Sequence, residues 1–212
     1  TDTHTFEQIL SAVGVEGNTE NLGLENTKIK VKNNQIITYD FGITDEDNIF
    51  AIGDVAGLPW LAHKASHEGI ETVDFMVKNK INRNKPNFIK KPIPSCIYSN
   101  PQVASIGISE NTALKKGMDI KVGKFPLSAN GKALALSDSE GFIKTIFEKT
   151  TGEILGAHLI GPEVTELIGI FSLAIKLEAT EEDIINTVFP HPTLSESIHE
   201  SVLDAFHRSI HI

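Results

Sequence analysis

Cysteine is almost missing from this chain: Cys96 stands alone among 212 residues. That excludes an internal disulfide framework and fits a reducing compartment, cytoplasm or mitochondrial matrix. Long hydrophobic runs are missing too. No apolar stretch approaches the roughly 20 residues that a membrane-spanning helix needs, and no signal peptide opens the chain, so no membrane partner is expected. Positive charge is scarce: 19 Lys and Arg stand against 28 Asp and Glu, a net charge of −9. The lysines are scattered, nothing would neutralise a phosphate backbone, and no nucleic acid partner is expected. Internal repeats and low-complexity tracts are absent. What is present, 40% hydrophobic and 22% charged residues, is the composition of an ordinary globular protein, with length enough for one large domain or two modest ones. Thr1 is not an initiator methionine, so processing or truncation is expected ahead of it.

The pattern changes along the chain. Residues 6–14 read as an apolar strand ending at Gly14, and 14–25 are polar and turn-rich. Residues 29–31 and 35–38 flank Asn33-Asn34, a hairpin signal. The apolar run 48–52 predicts a strand buried on both faces of a parallel sheet. From Pro59 the period becomes helical, with Leu61, Ala62, Ala65, Gly69, Ile70, Val73, Met76 and Val77 on one face of a long helix. Residues 79–94 are basic and proline-interrupted, the candidate linker, and place a domain boundary between 88 and 89. Beyond it, strands are expected at 95–98, 103–108, 120–126, 142–148 and 154–160. Helices are expected at 109–116, 163–177, 180–186 and 195–208. The fold class is α+β, with helices covering one face of an antiparallel sheet.

Two stretches carry chemistry. Gly53-Asp54 closes the run Ile49-Phe50-Ala51-Ile52. A glycine there admits a ligand close to the backbone, and the aspartate can accept hydrogen bonds from sugar-like hydroxyls; a simple strand-ending turn is the plainer account. Pro59 suits a helix start, which would leave free N–H groups at Trp60, Leu61, Ala62 and His63 at the positive end of the helix dipole. His63 and His67 are four apart, but no third ligand is evident and no metal is expected. Near the C-terminus, His191 sits between Pro190 and Pro192, with Glu196 five residues on. Glu196 can orient one imidazole nitrogen so that the other acts as a base. Equally, Thr193-Leu194-Ser195-Glu196 is a capping box in which Glu196 serves only the helix start. The residues alone leave both readings open, and one geometry is not expected to combine them. Cys96, inside a strand, reads as packing.

Taken in order, these motifs resemble the flavin disulfide oxidoreductases. Thr44 followed by Phe50-Ala51-Ile52-Gly53-Asp54 is similar to that family's second flavin motif, and His191-Pro192-Thr193 with Glu196 is similar to its active-site signature. Leu61-Ala62-His63-Lys64-Ala65-Ser66-His67-Glu68-Gly69 resembles the dihydrolipoyl (lipoamide) dehydrogenase branch more than the glutathione or mercuric reductases. Residues 11–25 look like the end of its NAD domain; 99–107, 151–158 and 204–211 look like its interface domain. Phe189 replaces a common second histidine, Lys132 a common arginine, and Val15-Glu16-Gly17 a more familiar Arg-x-Pro.

The resemblance implies an α/β remnant of FAD- and NAD-binding domains over 1–88, followed by an α+β dimerisation domain over 89–212. It implies FAD and NAD as cofactors, with Gly14, Asp54, Trp60, Leu61, Ala62 and His63 at the cofactors. His191 would be the catalytic base and Glu196 its partner, serving the redox disulfide of the other subunit of a homodimer. The partners implied are the lipoyl domains of 2-oxo acid dehydrogenase complexes. The redox cysteine pair and Gly-rich nucleotide loop that the family needs are not in this sequence, so the chain is expected to be part of an enzyme and inactive alone. The alternatives are a stand-alone, non-catalytic dimerisation module and a flavin disulfide reductase with another substrate.

Overall fold

The computed structural model describes residues 3–81 and 92–212. It divides into two compact units, Thr1–Ile89 and Lys90–Ile212. The expected boundary at 88/89 and the middle of the expected linker lie outside the described residues.

In the first unit, β1 (Val31–Lys32) and β2 (Gln35–Ile36) form an antiparallel hairpin. Asn33 and Asn34 turn it with φ of 52° and 55°, a left-handed pair that asparagine tolerates better than most residues. Two strand expectations fail. Residues 6–14 have no regular structure, and Phe6, Ile9, Leu10 and Val13 are all exposed. Among the described residues the run 48–52 joins no parallel sheet: Phe50 makes an antiparallel bridge to Ile43, and the Ala51 N–H donates to Gly42 O at 2.8 Å. An apolar run becomes a strand only where another strand takes its backbone groups, and no described residue does so for 6–14. A 3-10 turn, Gly53–Ala56, then leads through Pro59 to α1 (Ala62–Ile81), the long helix that the periodicity predicts. Stacked Phe41 and Phe75, with ring centroids 4.8 Å apart, pack the middle of α1 against the preceding loop.

The second unit holds β3 (Ser95–Ile97), β4 (Gln102–Gly107), α2 (Glu110–Lys115), β5 (Ile120–Pro126), α3 (Gly131–Ala135), β6 (Phe142–Glu148), β7 (Ile154–Gly161), α4 (Val164–Lys176), α5 (Glu181–Ile185) and α6 (Glu196–Ala205). The five strands form one antiparallel sheet in the order β3-β4-β7-β6-β5. Register puts Phe125, Ile143, Leu159 and Ala104 in one row across it, with Thr145, Ala157 and Ile106 in the next, all buried. Both covering helices lie on that face. Helix α4 buries Val164, Ile168 and Phe171, spaced at i, i+4 and i+7. Helix α6 crosses β5 and β6 so closely that a Cβ on Gly123 would meet the Ser201 carbonyl, and Thr145 Oγ1 donates to that same carbonyl at 3.1 Å. The expected one-sided α+β layer is therefore found. Helix α3 is an addition to the expected elements.

Candidate functional site

Each unit brings together one set of the predicted residues. In the second unit, the chain from Pro190 to Ser195 runs into the start of α6, and Glu196 is the first residue of that helix. The Glu196 carboxylate divides its two oxygens. Oε1 lies 2.9 Å from His191 Nδ1, while Oε2 accepts the Thr193 N–H at 2.9 Å. Orientation of the histidine and the backward bond of a capping box, expected to exclude each other, coexist because a carboxylate has two acceptors. The box is otherwise incomplete, since the Thr193 hydroxyl donates to Pro190 O at 2.7 Å. It thereby tightens the loop around the histidine.

The charge state follows. Burial pushes the Glu196 carboxyl up, but the Thr193 N–H, the His191 hydrogen bond, and the charges of His191 and His211 outweigh it and hold the group below its ordinary value. An ionised carboxylate only accepts, so His191 Nδ1 carries the hydrogen and donates. In the neutral ring Nε2 then holds the lone pair. The His191 side chain is 77% exposed against 31% for Glu196, so that nitrogen can be reached from outside. This is the arrangement of an oriented base.

Two supporting groups escaped the sequence reading. Asn130, buried at 4% exposure, caps α3 by accepting the Ala133 N–H on Oδ1 at 2.9 Å. Its Nδ2 donates to Thr193 O at 3.0 Å and Ser197 Oγ at 2.9 Å. One amide thus ties the histidine loop to α3 and α6. Asn130 ahead of Gly131-Lys132-Ala133-Leu134-Ala135 is a helix-start signal that could have flagged α3; its reach to residue 193 could not have been seen. The second group is Glu200, one turn along α6 and 5% exposed. It accepts from His211 Nδ1 at 2.8 Å and from the Ile210 and His211 N–H groups at 3.3 Å each.

In the first unit, Asp54 and the segment Trp60 to His63 sit at the two ends of the loop that leads into α1. The Asp54 carboxylate is exposed and makes no hydrogen bond among the described residues. The Trp60 indole Nε1 is buried without an acceptor among them. A buried N–H is rarely left unpaired, so this one points to an acceptor outside the described residues. The start of α1, the positive end of its dipole, follows directly on Trp60 and Leu61. A free carboxylate, an orphaned indole donor and a helix start fit a polar, partly anionic group such as a flavin nucleotide. Gly14 is not brought to them: it lies in the irregular N-terminal segment, with nothing within 4 Å of where a Cβ would stand. His63 and His67 are exposed on α1, and no group of three or more metal-ligating side chains gathers among the described residues. Cys96 is half-buried in β3. Burial pushes its thiol up, and the Glu166 charge adds to this, which leaves it the packing residue the sequence suggests.

Comparison with known proteins decides the family. The pyridine nucleotide-disulphide oxidoreductase dimerisation domain matches residues 93–202, and the pyridine nucleotide-disulphide oxidoreductase domain matches residues 1–69. The chain belongs to the pyridine nucleotide-disulphide oxidoreductases. Within that family it is 50% identical to a dihydrolipoyl dehydrogenase of Rhizobium etli over 207 residues, covering 96% of this chain and 42% of the relative. It is 43% identical to that of Bacillus subtilis, over 100% of this chain and 44% of the relative. The oxidoreductase chain thus spans less than half the length of these relatives. Among solved structures, LpdA from Mycobacterium tuberculosis shares the fold, with a TM-score of 0.82 at 24% identity over 90% of this chain and 41% of that one. The HOCl-induced flavoprotein disulfide reductase RclA from Escherichia coli superposes with a TM-score of 0.76 at 26% identity, over 90% and 43%.

Proposed function

We propose that this chain supplies the base-bearing, dimerising part of a dihydrolipoyl dehydrogenase, which oxidises protein-bound dihydrolipoamide to lipoamide with FAD and NAD⁺. The observation that carries the reading is the His191–Glu196 pair: a carboxylate held ionised on one ring nitrogen, the other nitrogen open. His191 Nε2 takes the proton from a dihydrolipoyl thiol. The thiolate left behind attacks a redox disulfide, for which this chain, with one cysteine, has no candidate. Glu196 stabilises the imidazolium formed at His191, and Asn130 keeps the loop in place while the charge changes. When bound, FAD carries the electron pair from the reduced disulfide to NAD⁺. Asp54 is suited to its sugar-alcohol hydroxyls, and Trp60, Leu61, Ala62 and His63, at the positive end of α1, to negative charge on its ring. Gly14 belongs to the NAD side of the same reading.

The domain division proposed is 1–88 for the nucleotide-binding remnant and 89–212 for the dimerisation domain. A homodimer follows. Ile97, Tyr98, Leu173, Leu177 and Val188 are all more than half exposed, as expected of apolar side chains awaiting a second copy. Lipoyl domains are the protein partners proposed, in bacterial cytoplasm or, in a eukaryote, the mitochondrial matrix. No helix among the described residues is long and apolar enough to cross a membrane.

The test is NAD⁺-dependent oxidation of dihydrolipoamide by the protein at the length of its relatives. His191→Gln should lower kcat by about 10²–10⁴-fold, the usual contribution of a positioned base. The 212-residue chain alone should turn nothing over. A His191→Gln enzyme within threefold of the parent would remove the assignment, and turnover with a different dithiol but not dihydrolipoamide would move the substrate.

A further inference from the structure

We infer that Lys64, buried, and Glu68, half-buried, form an ionic clamp that sets the shape of the loop from Gly53 to Gly57 and thereby positions Asp54; the inference rests on the cofactor reading above. Lys64 is out of place by any local rule. A lysine in the first turn of a helix, off its apolar side, is expected outside, yet Lys64 is 7% exposed, more buried than Leu61, Ala65 or Gly69 on the apolar side. Every ammonium proton has a partner. Nζ lies 3.4 Å from Gly53 O, 3.1 Å from Gly57 O and 2.9 Å from Glu68 Oε1. The two carbonyls are the two ends of the loop, so a single cation holds both.

Glu68, one helical turn on, closes the arrangement from the other side. Its Oε2 accepts the Gly53 N–H at 2.8 Å as well as Lys64 Nζ at 3.1 Å. Gly53 therefore has its N–H bound by an anion and its C=O by a cation. Taking the Lys64 charge out of water costs desolvation that offsets the Coulomb gain, so the pair is no better for stability than an apolar pair of equal volume. An apolar pair, however, cannot hold two carbonyls and an N–H in place. The loop is also seated tightly: Gly53 has φ of 73°, and a Cβ there would stand 3.2 Å from Ala65 Cβ.

The consequence falls on Asp54. Its carboxylate has no hydrogen bond among the described residues to aim it, so its direction is inherited from the backbone on which it stands. That backbone is what the clamp holds. Lys64 and Glu68 are then positioning residues for the nucleotide, without touching it.

Two measurements separate the shape of the loop from the cofactor. In the 212-residue chain, Lys64→Met keeps the side-chain volume and removes the cation. Amide hydrogen exchange at Gly53 and Gly57 should accelerate about tenfold or more on loss of the charge-assisted bonds, with the far-UV circular dichroism kept. In the protein as its source makes it, the same variant should bind added FAD about tenfold or more weakly, read by flavin fluorescence. Glu68→Gln, nearly isosteric, should shift both readouts in the same direction and serves if Lys64→Met fails to fold. Exchange unchanged in both variants overturns the clamp. Exchange accelerated with FAD affinity intact overturns the positioning of Asp54. A parent protein that takes up no FAD overturns the cofactor reading while the exchange data still decide the clamp.

Discussion

Replacing Asn130 by alanine tests whether the histidine loop is held from a distance. The side chain is 4% exposed and makes three hydrogen bonds of 2.9–3.0 Å, to the Ala133 N–H, Thr193 O and Ser197 Oγ. Each buried bond contributes about 0.5–1.5 kcal/mol net, and the bond to Ala133 is also the helix cap, by itself about 1 kcal/mol. Alanine would in addition leave the fully buried Ser197 hydroxyl short of a partner. The expected loss is about 3 kcal/mol, which at an ordinary urea dependence moves the midpoint by about 1–3 M. The assay is urea unfolding followed by far-UV circular dichroism. Asn130→Asp sharpens it: the acceptor for Ala133 remains, the donor to Thr193 and Ser197 is gone. If the tether matters more than the cap, this variant should lose nearly as much as alanine, and hydrogen exchange at the Thr193 amide should accelerate in both. A loss below about 0.5 kcal/mol for Asn130→Ala, or an Asn130→Asp protein indistinguishable from the parent, would refute the reasoning.

Two further outcomes concern titrating groups. Glu196 is held below its ordinary value, so its stabilisation is fully present above the unfolded carboxyl pKa of about 4.3 and is lost as pH falls through the lower folded value. Glu196→Gln should therefore be less stable than the parent at pH 7 and approach it at pH 3; urea midpoints differing equally at both pH values would count against an ionised Glu196. Cys96, with its thiol pushed up by burial and by Glu166, should react with a disulfide reagent at pH 8 more slowly than a free cysteine does. A rate equal to that of free cysteine would mean the strand does not shield it.

Where regular structure depends on neighbours in sequence, it was legible. The strands at 120–126 and 142–148 coincide with β5 and β6, because alternation of apolar and polar residues and the turns at their ends are local. The hairpin at Asn33-Asn34 and the helix after Pro59 were legible for the same reason. The runs 6–14 and 48–52 were not, since an apolar run says only that a strand could form. Whether it does rests on a pairing partner that the run does not contain.

The candidate site divides in the same way. His191 and Glu196 stand five residues apart, and Gly53 and Asp54 are adjacent, so each of these two local pairings was legible in the sequence itself. That Glu196 serves both the histidine and the Thr193 amide was decided only by tertiary structure, because the choice lies in where each oxygen points. Asn130 reaches across 63 residues to Thr193, a contact made by the packing of α3 beside α6. Lys64 stands where the helical period puts a solvated residue, yet it is buried, because the loop preceding α1 folds back over it and turns two carbonyls inward. Residue order chose the reactive groups; the folding back of distant segments decided which of them are held, and by what.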